Sequence, residues 1–194
     1  MNSNPSSPAT GNVNEAIWDV QFNYDATVVT GAAGNAGSIF IPSLNKFWTS
    51  RWATNVIHQW NANGTLDQQY TLPFTGTRGM VSDGQFIYCS INTTTVQVVD
   101  PTTRLSVGTI SVVGAPNGAR FIAYNPDENG GNGAIIVGNW ISPNFNFYVF
   151  SMTGTLLRTI TSTQSGVYGL LFDKWSNPGT PYLWVWTQGL GAAT

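Results

Sequence analysis

Runs of β-type residues recur along this chain at a near-constant interval, and that repetition limits the fold more than any other feature. Equivalent runs begin at Phe47, Phe86, Ile135 and Leu183, spaced 39, 49 and 48 residues apart. Each belongs to a larger unit. The first unit reads Gly37–Pro42, Lys46–Trp52, Val56–Trp60 and Leu66–Leu72, with a turn at Asn63-Gly64. The second reads Gly79–Ser82, Phe86–Ile91, Thr95–Asp100 and Leu105–Val112, turning near Thr102-Thr103. The third reads Arg120–Asn125, Ala134–Trp140, Phe145–Ser151 and Leu156–Thr161, with a turn at Thr153-Gly154. A fourth begins with Gly169–Asp173 and Tyr182–Gln188, where the chain ends. Four strands in about 40–50 residues is the period of a propeller blade.

The punctuation between runs agrees. Asn63-Gly64, Asp83-Gly84, Asn117-Gly118, Asn129-Gly130 and Asn132-Gly133 are tight-turn dipeptides, because both residue types tolerate the positive φ that strand twist demands. No window carries a 3.6-residue apolar period with caps, so the expected class is all-β. Residues 2–14, NSNPSSPATGNVN, read as a linker or tail, leaving 15–194 for the β domain.

Composition narrows the function. Only 16 of 194 residues are charged, and the net charge is −2. Without a Lys/Arg cluster the chain lacks the footprint of a nucleic-acid binder or a polybasic membrane-surface protein. Its longest apolar runs are too short for a membrane-spanning helix. The single Cys89 cannot form a disulfide within the chain, and the single His58 excludes a His-rich metal cluster. Gly, Thr, Asn and Ser make up 78 residues, a composition that suits an extracellular all-β module.

Two stretches resemble known propellers. VQVVDPTTRLSVGTISVVGAPNGARFIAYNPD, from Val96 to Asp127, is similar to the YVTN-type repeat: a valine-rich strand ending in Asp, a T-x-x turn, a strand closing on T-I, and a Gly-x-Pro approach to the next blade. WDVQFNYD, GAAGNAG and TSRWATNVIHQW, within residues 17–60, resemble propeller domains of secreted Bacteroidetes proteins exported by the type IX system. These resemblances imply a propeller fold and, jointly with composition, a secreted or cell-surface location. Trp18-Asp19 is not a WD40 signature, since it precedes the repeats and lacks a Gly-His partner.

Three complete units and a half leave a fourth blade without its outer strands. Either Ile17–Thr30 supplies them and closes a four-bladed ring, or the chain is part of a larger propeller, or two copies complete each other. Members of the resembling family are longer, which favours truncation.

Candidate site residues fall into two sets. Arg78 and Arg120 hold equivalent positions at the start of the innermost strand, with Tyr168 at roughly that place in the next unit. There a guanidinium would either tie neighbouring blades through backbone carbonyls or form an anion- or carbonyl-binding ring at the channel mouth. The second set lies at the ends of second strands: Arg51, Trp52, Asn139, Trp140, Trp186 and Gln188. Aromatic faces beside amide and guanidinium donors suit sugars, whose C–H faces stack while hydroxyls hydrogen-bond. The plain alternative is that the tryptophans pack blade against blade. Asp127 and Glu128, in the loop PDENGGNG, are candidates for a calcium ion, although the D-x-D-x-D ladder is missing and a simple hairpin loop explains them as well. His58 and Cys89 sit in strands with no nucleophile–base constellation around them.

These readings favour a non-catalytic extracellular binding or adhesion module for a glycan or a cell-surface protein. A propeller enzyme of lactonase or lyase type and a self-assembling surface component are the alternatives.

Overall fold

The computed structural model describes residues 34–140, 146–177 and 179–188. The expected linker 1–14 and the expected closing segment Ile17–Thr30 lie outside them. Among the described residues there are three four-stranded sheets and one two-stranded sheet, all antiparallel and each built from strands consecutive in the chain. The first sheet holds β1 (Asn35–Ile41), β2 (Lys46–Arg51), β3 (Val56–Asn61) and β4 (Leu66–Thr71). The second holds β5 (Gly79–Ser82), β6 (Ile87–Ser90), β7 (Thr95–Asp100) and β8 (Leu105–Ser111). The third holds β9 (Phe121–Asn125), β10 (Ala134–Gly138), β11 (Phe147–Ser151) and β12 (Leu156–Ile160). The fourth holds β13 (Val167–Asp173) and β14 (Tyr182–Thr187). These bounds follow the sequence reading closely. The expected start of β11 at Phe145 moves to Phe147, Phe145 being outside the described residues.

The repeat is visible in fine detail. The third and fourth strands of each full sheet share one register shift, at Gln59/Trp60, Val98/Val99 and Val149/Phe150. The turns joining them carry one positive-φ residue each: Gly64, Arg104 and Gly154. An extra residue in the ladder plus one left-handed position is the geometry of a bulged hairpin. The turn chemistry therefore differs from that expected. Both residues take positive φ at Asn117-Gly118 and Asn129-Gly130, whereas at Asn63-Gly64, Asp83-Gly84 and Asn132-Gly133 only the glycine does. Between β9 and β10, which pair as an antiparallel hairpin, the loop turns through a left-handed run, with Asn129, Gly130 and Gly131 all at positive φ. Asp83 and Asp100 act as turn formers. Asp83 Oδ1 accepts from the backbone N–H groups of Gln85 and Phe86, both at 2.8 Å, and Asp100 Oδ1 accepts from that of Thr102 at 2.8 Å.

The first strands β1, β5, β9 and β13 lie side by side in sequence order, each packed on the next. The core sits between successive sheets. Ile41, Trp48 and Ile57 of the first sheet meet Met80, Ile87 and Cys89 of the second. Tyr88, Val96 and Ile110 meet Ile122, Ile135 and Phe150 of the third. Phe121, Ile136 and Val149 meet Val167, with Leu170, Phe172, Leu183 and Val185 of the fourth alongside. A sheet twisted against its neighbour and buried face to face in this way is a propeller-like arrangement.

Packing near the inner strands depends on a small residue opposite a larger one. A Cβ on Gly37 would come within 3.0 Å of the Ser50 hydroxyl, and one on Gly79 equally close to that of Ser90. In the third sheet the sizes are exchanged: a Cβ on Gly138 would come within 2.6 Å of the Phe121 ring. Ser50 and Ser90, both fully buried, also link sheets. Ser50 donates to the Thr77 carbonyl at 3.0 Å, and Ser90 donates to the Arg120 carbonyl at 2.9 Å. Each bond crosses from the second strand of one sheet to the approach of the next, where the arginines stand.

Candidate functional site

At the end of the molecule where the inner strands begin, side chains from all four sheets line one cavity of about 770 Å³. The first sheet contributes Asn35, Ala36 and Trp52, and the second contributes Arg78. Arg120 and Trp140 come from the third, and Tyr168, Gly169, Trp186 and Gln188 from the fourth. Six of the residues read from the sequence thus converge: Trp52, Arg78, Arg120, Trp140, Trp186 and Gln188.

Backbone bonds set the positions of the arginines. The N–H of Arg78 donates to Ser90 O at 2.9 Å, and that of Arg120 donates to Gly138 O at 2.8 Å. Their guanidinium groups then turn toward aromatic faces. Arg78 Cζ lies 5.3 Å from the centre of the Trp52 ring. Arg120 Cζ sits between two rings, 4.9 Å from Trp140 and 4.8 Å from Tyr168. Those two rings are themselves 6.0 Å apart and tilted. Such cation–π contacts hold the guanidinium groups against the rings.

Ser50 and Ser90 tie neighbouring sheets through backbone carbonyls, while Arg78 and Arg120 meet the neighbouring sheets at Trp52 and Tyr168. A buried serine hydroxyl can donate to a carbonyl without bringing charge into the interior, which a guanidinium cannot do. No sequence signal singles these serines out beyond their matching places in the TSRW and YCSI runs. Arg120 is buried; burial, then the nearby Arg78 charge, lowers its pKa, while Tyr168, whose hydroxyl accepts a hydrogen bond from the guanidinium, raises it. It remains a cation, since arginine does not deprotonate in proteins.

The tryptophans divide by role. Trp48 and Trp60 are buried in the first sheet, where the Trp48 indole N–H donates to Gln59 Oε1 at 2.9 Å and that of Trp60 donates to Thr49 Oγ1 at 2.9 Å. Trp52, Trp140 and Trp186 are exposed by 49%, 39% and 75%. Inter-sheet packing therefore does not account for these three.

Two candidates stand off the cavity. Asn139 is buried, and its amide donates to Asn92 Oδ1 at 2.8 Å and to the Asn117 carbonyl at 2.7 Å, pinning the turn that leads into the third sheet. Arg51 is not among the described residues that line the cavity, and its charge adds to the lowering of the His58 pKa that burial begins. His58 is a buried side chain of β3. Cys89 is fully buried, which pushes its thiol up to about 12. Neither is placed to act on a ligand in the cavity.

Asp127 and Glu128 lie between the third and fourth sheets and are engaged by cations. Asp127 Oδ1 accepts from Lys174 Nζ at 2.9 Å. Glu128 accepts from Arg158 at 3.1 and 2.8 Å, and from the Asn125 amide at 3.1 Å. Among the described residues no group of three or more His, Cys, Asp or Glu side chains comes together as a metal site.

A second depression, of about 530 Å³, opens at the other end of the inner strands and is largely apolar, with Phe40, Met80, Leu171, Phe172 and Trp175 on its walls. The first cavity differs in chemistry: ring faces, two guanidiniums and two side-chain amides, with no carboxylate, imidazole or thiol among its described lining residues. That set can stack and donate hydrogen bonds. No protein-family model matches the chain, and no curated protein matches it significantly.

Proposed function

We propose that this chain is a non-catalytic binding module that takes a saccharide in the cavity formed by Trp52, Trp140, Tyr168 and Trp186. The observation that carries the reading is the convergence of exposed aromatic rings from three separate sheets on one cavity that also holds amide and guanidinium donors. A sugar presents apolar C–H patches to such rings and hydroxyls to such donors. On this reading the sheets are blades of a YVTN-like propeller and the cavity is its channel mouth. A charge-poor surface rich in Thr and Asn fits display outside the cell. Lactonase or lyase chemistry is less well supported, because no carboxylate or imidazole is among the described lining residues.

The test is a glycan and surface-protein array probed with the wild-type chain and with Trp52→Ala and Trp140→Ala. Each substitution removes a stacking face and is expected to weaken the recognised ligand by about tenfold, as loss of about 1.4 kcal/mol requires. Unchanged binding by both variants overturns the assignment of the site.

One observation favours a second reading, self-association. The strand β14 has a partner on one side only among the described residues, and its Trp184 and Trp186 are exposed by 52% and 75%. A long apolar strand edge pairs readily with another chain. Light scattering that shows a monomer at all concentrations removes this reading.

A further inference from the structure

We propose that the cavity selects an acidic saccharide, one whose sugar carries a carboxylate or sulfate group, with Arg78 and Arg120 as the residues that receive the oxyanion. This rests on the reading of the cavity as a saccharide site and adds the charge of the ligand.

The argument starts from how the few cations are used. Lys46 pairs with Asp67 at 3.3 Å, Arg158 with Glu128 at 2.8 Å and Lys174 with Asp127 at 2.9 Å. Arg78 and Arg120 form no ion pair among the described residues, and both face the same cavity. A chain of net charge −2 thus gathers two positive charges where no acid lines the wall. They are close enough for Arg78 to lower the proton affinity of Arg120. Like charges held together in a partly buried site repel, and an anion between them removes that cost.

Geometry fits an oxyanion better than a neutral group. Trp52 covers one face of the Arg78 guanidinium, and Trp140 and Tyr168 flank that of Arg120. A guanidinium held in this way matches carboxylate or sulfate oxygens through its planar N–H groups. Arg78 Nε is buried with no hydrogen-bond partner, a donor that wants an acceptor. Trp186, exposed by 75% and lining the same cavity, offers a ring to the sugar that carries the acid. Two charges in a bounded cavity suit one acidic residue of a chain, not a polyphosphate backbone, which demands a longer basic track.

The experiment titrates the full chain by calorimetry with three oligosaccharides of equal length: galacturonate, sulfated galactose and neutral galactose. The acidic oligomers are expected to bind about tenfold or more tightly than the neutral one, since hydrogen bonds to charged groups exceed neutral ones by at least about that factor. Which acidic arm binds tells carboxylate from sulfate. Their affinity should fall between about 0.05 and about 0.5 M salt, as screening requires. Arg78→Gln, at a half-buried position, should cost the acidic ligand about tenfold and leave the neutral ligand unchanged. Arg120→Gln should act the same way, provided its melting curve matches wild type; Arg78→Gln carries the test if it does not. Equal affinity for neutral and acidic oligomers, or indifference of acidic binding to Arg78→Gln, overturns the inference while leaving the saccharide reading standing. No binding of any of the three overturns both.

Discussion

The third and fourth sheets are built from similar strands and end in opposite environments. Every residue of β10 (Ala134–Gly138) and of β11 (Phe147–Ser151) is buried. In β14, Tyr-Leu-Trp-Val-Trp-Thr is at least as aromatic, yet each residue is only half-buried or exposed. The difference lies in the neighbours. The third sheet has apolar partners on both faces, Ile122, Ile135 and Phe150 toward the second sheet and Phe121, Ile136 and Val149 toward the fourth. Among the described residues the fourth sheet has such a partner on one face only. Burial of a strand is thus set by what covers it, while its composition sets only what it can tolerate. The exposure of the fourth sheet also shapes the site: Trp186 lines the cavity at 75% exposure, and Tyr168 lines it beside Arg120 and Trp140.

Substitutions at matched places test that contrast. The largest effect is expected for Phe150→Ala, which empties a fully buried ring site and should cost about 3–5 kcal/mol in denaturant unfolding. Leu171→Ala, at a side chain 60% exposed in β13, should cost less than about 0.5 kcal/mol. Comparable losses would mean that the fourth sheet is covered in solution. Next comes Gly138→Ala, whose Cβ meets the Phe121 ring at 2.6 Å; overpacking of this kind should cost about 1–3 kcal/mol. Gly169→Ala in the fourth sheet meets only Trp186 Cβ, at 3.6 Å, and should stay within about 0.5 kcal/mol of wild type.

A smaller effect sharpens the comparison by pH. Where the third sheet is held by apolar packing, the fourth relies on Asp173. Its carboxylate accepts from the backbone N–H groups of Trp175 and Ser176 at 2.9 and 3.0 Å and from the Trp184 indole at 3.0 Å. These bonds, led by those from Ser176 and Trp184, hold the carboxyl well below the usual carboxylate range. A depressed folded-state pKa stabilises the fold at pH values above the ordinary one near 3.8, and that contribution is lost as the pH falls through the folded value. Acid should therefore loosen the β13–β14 hairpin first, seen as a change in tryptophan fluorescence that Asp173→Asn shifts or abolishes. An acid transition that is identical in Asp173→Asn removes the carboxylate from this role.

The smallest expected signal comes from Cys89, in the second sheet, which like the third is covered on both sides. Full burial and a pKa of about 12 leave no thiolate at neutral pH. A thiol reagent should label the protein only at the rate of global unfolding; prompt labelling would show that the covered sheets open locally.

Much of this molecule is legible in the chain because the signals are local. Strand alternation, bulged hairpins and turn dipeptides act over a few residues, and for that reason the bounds of β5 and β7 can be read residue for residue. The same locality explains the misreadings. A dipeptide such as Asn129-Gly130 permits left-handed backbone but does not give the length of the left-handed run, which here extends to Gly131. Asn139 and Trp140 are neighbours with equal promise in sequence. One turns inward to hold Asn92 and the Asn117 carbonyl, and the other turns outward over Arg120. The linking serines carry no pattern at all, since a hydroxyl is read as structural only when a carbonyl from another sheet stands 3 Å away.

By itself, then, the sequence determines that the chain forms repeated four-stranded antiparallel sheets, where each strand starts to within about two residues, and that arginines and tryptophans recur at their ends. The tertiary structure alone decides that those ends meet. Side by side, the inner strands bring Trp52, Arg78, Arg120, Trp140, Tyr168 and Trp186 from four distant segments to one cavity, while Arg51 and Asn139 are not among its described lining residues. The physical reason is that hydrogen-bond ladders and alternation are fixed within a hairpin, whereas convergence depends on the packing of one sheet on the next. That packing rests on buried volume, such as Gly138 against Phe121, spread over residues far apart in the chain.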